Sequence, residues 1–290
     1  LDDALPRPGN DSSPAPVAVA AGQYDGPFEE NPMATARPDF PDGVALVIGG
    51  SGGNGKAICE ALADAGSDVA LTYHRNAQRA EETVAAVSAR GRKATAHALS
   101  IGDAEGVRKV VEAVGSRQRI HTVVIAAGSD ITQPLIRDLQ PAEWKKVVDA
   151  DLNGFFNVVH ATLPHLRRGG GGSYVHISSA GLHRWPPGDV LSVAPKAAIE
   201  ALIKGIAKEE GASGIRANSV AIGVIETGIF LRLWANGTFD EEWKRKVHAG
   251  LCLKRWGKSE EVADATVFLA SNRAQYITGQ MISVDGGYGV

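Results

Sequence analysis

The sequence predicts an α/β protein built on one doubly wound parallel sheet, and three observations carry that prediction. From Gly43 onward, short β-branched or apolar runs alternate with helical periods and no hairpin turns separate them, which requires right-handed crossovers between parallel strands. A glycine-rich stretch, IGGSGGNG, follows the first of these runs and opens the first helix. No second domain boundary and no fixed-period repeat occurs before Val290, so a single domain is expected and a solenoid is excluded.

Residues 1–40 read differently. They are rich in Pro, Ala, Gly and acids without a sustained apolar period, and such a segment cannot offset its ordering entropy by burial. A flexible N-terminal tail is expected over 1–40 and a folded domain over 41–290. Met33 opens MATARPDF and is a candidate natural start, while an interaction arm is the other reading of the tail.

Within the domain, VALVIGG (44–50) predicts a strand running into glycines, and KAICEALADAG (56–66) an amphipathic helix with a glycine stop. DVALTYHR (68–75) predicts the second strand. The alternation continues through AQRAEETVAAVSARG, KATAHALS, AEGVRKVVEAV and HTVVIAAG. A long helical region follows from Pro141 to about Leu166, and then the strand SYVHISS.

Composition narrows the function classes. With 44% hydrophobic and 22% charged residues, the 290-residue chain can bury one large core. Thirty Lys and Arg against 33 Asp and Glu give a net charge of −3 without a long basic run, which argues against a nucleic-acid partner. Cys59 and Cys252 lie far apart with no CxxC or Cys/His cluster, so neither a metal site nor a disulfide framework is indicated and a reducing compartment fits best. No apolar stretch approaches the ~20 residues that span a bilayer, and the chain begins with acids, so a cytoplasmic protein without membrane contact is expected.

The glycine stretch carries the first chemical signal. Gly49, Gly53 and Gly55 fall in a G-x-x-x-G-x-G spacing between a strand and a helix, with Ser51 and Asn54 among them. A pyrophosphate needs a backbone it can approach closely and a helix N-terminus whose free N–H groups and dipole favour an anion. The second strand should end at the adenosine ribose, where an acid would bind the 2′-OH and a base the 2′-phosphate. LTYHRNAQR offers no acid there and has Arg75 just beyond, which favours NADP(H) over NAD(H); otherwise Arg75 is a solvated surface charge.

Together, the glycine spacing, HISSAG, the lysine of SVAPK and the tail YITGQMISVDGGYGV occur in an order and spacing that resembles the short-chain dehydrogenase/reductase family. The resemblance covers roughly Val44 to Val290 and implies a Rossmann-type sheet, a nicotinamide cofactor and a Ser, Tyr, Lys and Asn that handle the proton accompanying hydride transfer. Carried over, Ser179 is the substrate-orienting serine and Lys196 the lysine that binds the nicotinamide ribose and lowers the pKa of the catalytic acid. The tyrosine's position falls on Ser192, and the asparagine's on Asp151, with Asn153 two residues late. Gly128 and Gly223 keep the family's close backbone approaches, while their neighbours read IAAG and IG. Gly128, Lys196 and Thr227 join the glycine-loop residues and Arg75 as expected cofactor contacts.

A serine hydroxyl is a far weaker acid than a phenol, so Lys196 cannot make Ser192 an equivalent proton donor. Ser192 then reads as a helix N-cap or first-turn hydroxyl, or as a participant in an altered proton route. His183 is the best substitute acid or else an exposed loop histidine, while His176, Tyr73, Tyr174 and Tyr276 are poor candidates. Trp185 with Ile229, Phe230, Leu231 and Trp234 forms either an apolar lid or ordinary packing.

The resemblance implies an NADP(H)-dependent oxidoreductase, of carbonyl reductase or alcohol dehydrogenase type, on a small apolar substrate. A cofactor-binding pseudoenzyme or regulatory subunit, or a non-redox dehydratase or isomerase in the same pocket, are the alternatives. A homotetramer or homodimer is also implied, with a small-molecule substrate and no metal.

Overall fold

In the computed structural model, which describes residues 38–290, seven parallel strands form one sheet in the order β3-β2-β1-β4-β5-β6-β7. The strands are β1 (Val44–Ile48), β2 (Asp68–Tyr73), β3 (Ala94–Ala98), β4 (Ile120–Ile125), β5 (Gly172–Ser179), β6 (Ile215–Ile222) and β7 (Met281–Val284). Chain order reverses between β1 and β4, which opens a crevice beyond their C-terminal ends, the usual ligand position in such sheets. Ala45, Val47 and their neighbours face both helical layers with no exposure, as an internal parallel strand requires.

The helices are α1 (Gly53–Asp64), α2 (Ala77–Ser88), α3 (Ala104–Gly115), α4 (Pro141–Val147), α5 (Gly154–Arg168), α6 (Val190–Glu210), α7 (Gly228–Ala235), α8 (Glu241–Gly250) and α9 (Ser259–Ala270). Ile58 of α1, Val87 of α2 and Val262 of α9 belong to the core on one face of the sheet. Val107 of α3, Phe155 of α5 and Ile199 of α6 belong to the core on the other. Local chemistry sets several starts. Asn76 and Asp103 cap α2 and α3 by accepting the Arg79 and Gly106 amides, each at 3.0 Å.

Three boundaries differ from the sequence reading. Helix α1 begins at Gly53, inside the glycine stretch, because that loop itself supplies the first turn. The long helix is interrupted by one π-helical segment, Val148–Asn153, between α4 and α5. Asp151 lies within it, and such insertions are frequent at functional sites. Third, Phe40 is only 7% exposed and stacks on His121, with ring centroids 5.3 Å apart. Asn272 holds the Pro38 and Asp39 carbonyls, so packed chain begins before residue 41; the tail expectation for residues 1–37 lies outside the described residues. Among the described residues no helix is long and apolar enough to cross a membrane, and no His, Cys, Asp and Glu group could hold a metal. Both cysteines are free, Cys59 buried and Cys252 exposed.

Candidate functional site

The glycine loop is shaped by contacts that leave no room for a side chain. Gly49 has φ +85°, donates its amide to Thr72 Oγ1 at 3.1 Å, and would put a Cβ 2.8 Å from the Ala127 nitrogen. A Cβ on Gly53 would lie 1.6 Å from Thr227 Oγ1, and one on Gly55 2.2 Å from the Gly49 carbonyl oxygen. These contacts hold β1, α1 and the chain after β6 together, and they leave the N-terminus of α1 open. Gly52 at its N-cap provides no side-chain acceptor, and the first turn carries no acid.

Above that open end lies a cavity of about 560 Å³ lined by Ser51, Gly53, Thr227 and three cations, Lys56, Arg79 and Arg232. Glu82 also borders it. Free amides, a positive helix end and added cations suit a dinucleotide pyrophosphate, so the residues present fit the group that the fold implies. Arg232 closes one side by reaching Asp130 Oδ1 at 2.6 Å and the Ile131 carbonyl at 2.7 Å, which ties α7 to the loop after β4.

The structure sorts the expected cofactor contacts. Gly49, Ser51, Gly53 and Thr227 meet at the loop and cavity, and Gly128 has open space beside it. Asn54 turns away, its side-chain oxygen accepting the Ser259 hydroxyl at 3.0 Å. Arg75 is exposed and does not border the cavity, whereas Arg79 on α2 and Lys56 on α1 do. Sequence reasoning missed both. Their positions, one turn into a helix, were the available signal, since a helical side chain lies over the turn N-terminal to its own Cα.

The second half of the site gathers around α6. Asp189 occupies its N-cap position without capping it, so Ser192 is not the N-cap but stands at the third helical position. One turn later, Lys196 donates its Nζ proton to Ser192 Oγ at 3.1 Å, the i,i+4 contact a helix makes natural. Burial lowers the Lys196 pKa, while Asp151 and Asp189 oppose that shift. Asp151 makes its direct bonds elsewhere: it accepts the Ser129 amide at 2.9 Å and the Ser129 hydroxyl at 2.6 Å. The carboxylate therefore clamps the loop after β4 and acts on Lys196 only at longer range. Asn153 is exposed and donates to Asp149 at 3.0 Å, away from this centre.

Ser179, at the end of β5, accepts the Gly181 amide at 3.1 Å, which leaves its hydroxyl proton to point at a ligand. His183 is not part of the cluster. It is exposed, and its Nε2 pairs with Ser283 Oγ at 3.2 Å, while Arg184 beside it stacks over the Tyr288 ring at 5.4 Å. His176 is buried against Phe155 and pairs with Glu200 at 3.2 Å, its pKa lowered by burial. Tyr174 is buried and bonded to Thr162 at 2.7 Å, Tyr73 ends β2, and Tyr276 is fully exposed.

Asp189 is the residue of this centre that sequence reasoning missed. Burial raises its pKa; a 3.1 Å hydrogen bond from Gln133 and the Lys196 charge oppose the shift. The expected lid residues separate: Leu231 borders the cavity at the α1 N-terminus, and Ile229 is exposed. Phe230 of α7 joins Trp234, Phe239, Trp243 and Trp256 in an aromatic cluster with α8. Trp185 instead borders a shallow apolar groove with Leu135 and Ile136.

Comparison with known proteins agrees with this architecture. The family pattern described as enoyl-(acyl carrier protein) reductase matches residues 49–289. A 3-oxoacyl-[acyl-carrier-protein] reductase of Staphylococcus aureus is 32% identical over 243 residues, covering 84% of this chain and 96% of that protein. A short-chain type dehydrogenase/reductase from Mycobacterium ulcerans superimposes with a TM-score of 0.80 at 31% identity, covering 87% of this chain and 91% of that one. Levodione reductase gives a TM-score of 0.81 at 27% identity, covering 86% and 98%. The chain belongs to the short-chain dehydrogenase/reductase family and is an oxidoreductase of that type.

Proposed function

We propose that this protein is an NADP(H)-dependent carbonyl reductase or alcohol dehydrogenase acting on a small apolar substrate, with a proton route that does not use tyrosine. The observation that supports the reading is a shared end of the sheet. The cation-lined cavity at the α1 N-terminus shares the C-terminal end of the sheet with Ser179 and the Ser192–Lys196 pair.

A bound nicotinamide would supply hydride. Ser51 and the α1 amides hold the pyrophosphate, and Arg79 with Lys56 favours the extra phosphate of NADP(H), a further anionic partner for the guanidinium that NAD(H) lacks. Ser179 donates its hydroxyl proton to the substrate oxygen and orients it. Lys196, held charged by Asp151 and Asp189 against burial, stabilises negative charge developing on that oxygen. Exposed Trp144 and Phe156 on α4 and α5 support a homodimer or homotetramer through that face.

The test is a fluorescence titration with NADPH and NADH, followed by absorbance assays on a ketone panel that includes a 3-oxoacyl thioester. Tighter NADPH binding with ketone turnover is the expected result. Binding without turnover on any ketone supports a pseudoenzyme or non-redox chemistry instead, and equal affinity for the two cofactors removes the NADP(H) preference.

A further inference from the structure

We propose that Arg232 and Asp130 form a strap across the crevice that opens for the dinucleotide to enter or leave, so that this ion pair sets the rate of cofactor exchange; the inference rests on the cofactor-binding reading. Arg232 belongs to two structures at once. It lines the cavity at the α1 N-terminus, and its guanidinium reaches across to the loop after β4. There Nε lies 2.6 Å from Asp130 Oδ1, and Nη2 donates to the Ile131 carbonyl at 2.7 Å.

The two ends of the strap differ in how firmly they are held. The loop after β4 is fixed almost residue by residue: Ser129 by Asp151, Ile131 by packing with Val147, Val190 and Leu191, Thr132 by a 2.6 Å bond to Glu143, and Gln133 by its bond to Asp189. Helix α7 is held far less. Leu233 is buried, but Ile229 and Leu231 are exposed, and Phe230 packs among Phe239, Trp243 and Trp256, outside the two sheet cores. Glycines in the left-handed region flank the helix, Gly228 at φ +51° and Gly237 at φ +76°, with open space beside each. Such residues absorb the backbone rotation of a hinged segment. A thinly held helix between two glycines is thus pinned at mid-length by one side chain to a fixed loop.

Leu231 and Arg232 belong to one wall of the cavity, and Gly53 and Lys56 of α1 to another. Gln133 bonds Asp189 at the start of α6, so the tie runs from the phosphate cavity to the loop that borders the reaction centre. Because the tie is made without ligand, it opposes entry as much as exit. Its loss speeds both steps and changes affinity little, since a contact present in both states has no differential effect on binding. A cation that only touched phosphate would act otherwise, and its loss would speed release alone. Charge by itself gives a third pattern: removing the Asp130 carboxylate makes the rim more positive and slows the release of an anionic ligand.

Stopped-flow mixing of the full chain with NADPH, followed by nicotinamide fluorescence, measures both rates. Asp130→Asn should raise the association and release rates together, each by about threefold, the range of an exposed ion pair, with Kd within about twofold of the parent. Arg232→Lys keeps the charge but loses the fork that reaches two acceptors, and it should behave in the same way. In the cofactor-free proteins, hydrogen exchange of the α7 amides should quicken by a similar factor in both variants, while the β4 and β5 amides keep their protection and report an intact fold. Release that is slower or unchanged in Asp130→Asn, release that rises alone, or unaltered α7 exchange each overturns the strap and leaves the cofactor-binding reading intact. A parent chain that binds neither NADPH nor NADH overturns the cofactor-binding reading, and the strap with it.

Discussion

The two ends of the crevice are built by different means. At the proposed cofactor end the shape comes from backbone: Gly49, Gly53 and Gly55 sit where a Cβ would collide with a neighbour, and the N-terminus of α1 has no side-chain cap. At the reaction end it comes from side chains on separate segments: Ser179 after β5, Asp151 in the π segment, Gln133 after β4, and Asp189, Ser192 and Lys196 on α6. A backbone site tolerates little change because Gly49, Gly53 and Gly55 are each fixed by contact. The side-chain site has room to exchange one proton donor for another while its supports remain.

The sharpest way to break the first half of that comparison is Gly55→Ala. Its Cβ would meet the Gly49 carbonyl at 2.2 Å, a backbone atom that no rotamer change moves. NADPH binding should be abolished and Tm lowered by several degrees, as titration and thermal unfolding would show. Gly53→Ala meets a side chain instead, so Thr227→Gly should partly restore its binding, whereas no side-chain substitution restores Gly55→Ala. Equal rescue of both would remove the distinction between backbone and side-chain shaping.

A control lies at the N-terminal end of the central strand β4. His121 stacks on Phe40, contacts Ser67 at 3.2 Å, and is pushed down to about 4, chiefly by burial with the Arg119 charge adding to it. The unfolded chain then binds the proton more readily, so stability is full above the ordinary histidine value of 6.5 and is lost as pH falls towards 4. Between pH 7 and pH 5 the loss should be about 2 kcal/mol, and His121→Gln should flatten it in denaturant melts. NADPH affinity of that variant at pH 7 should not change.

Cofactor choice gives a smaller effect. Arg79→Ala should weaken NADPH by about tenfold, a charge-assisted bond's worth, with NADH affected little. Arg75→Ala should change neither, because Arg75 is exposed and does not border the cavity. The reverse ranking would return the phosphate contact to the end of β2.

What the sequence made legible follows the same division. The alternating runs from Val44 onward and the glycine spacing point to a doubly wound parallel sheet and an open loop at the α1 N-terminus, because each depends on local periodicity or on residues that lack a side chain. Ser179, Ser192 and Lys196 were found by counting along the chain, and α6 does place the last two in contact. The count gave no sign that Asp151 would spend its bonds on Ser129, or that His183 would turn to Ser283. Those partners are 22 and 100 residues away, and chain spacing carries no information on them. Asp189 carries no spacing signal in the sequence, and only the fold shows it half-buried, making no cap bond and accepting from Gln133.

The central claim, that Ser192 stands where the reaction's proton is delivered, is tested most directly by Ser192→Tyr. A phenol beside Lys196 is a tunable acid in a site that keeps Ser179 and the cofactor cavity. With NADPH binding confirmed for both proteins, kcat/KM for simple ketones should rise by up to ~10²-fold, the low end of general acid catalysis. A tyrosine variant that holds NADPH and reduces ketones no faster than its parent would contradict the account.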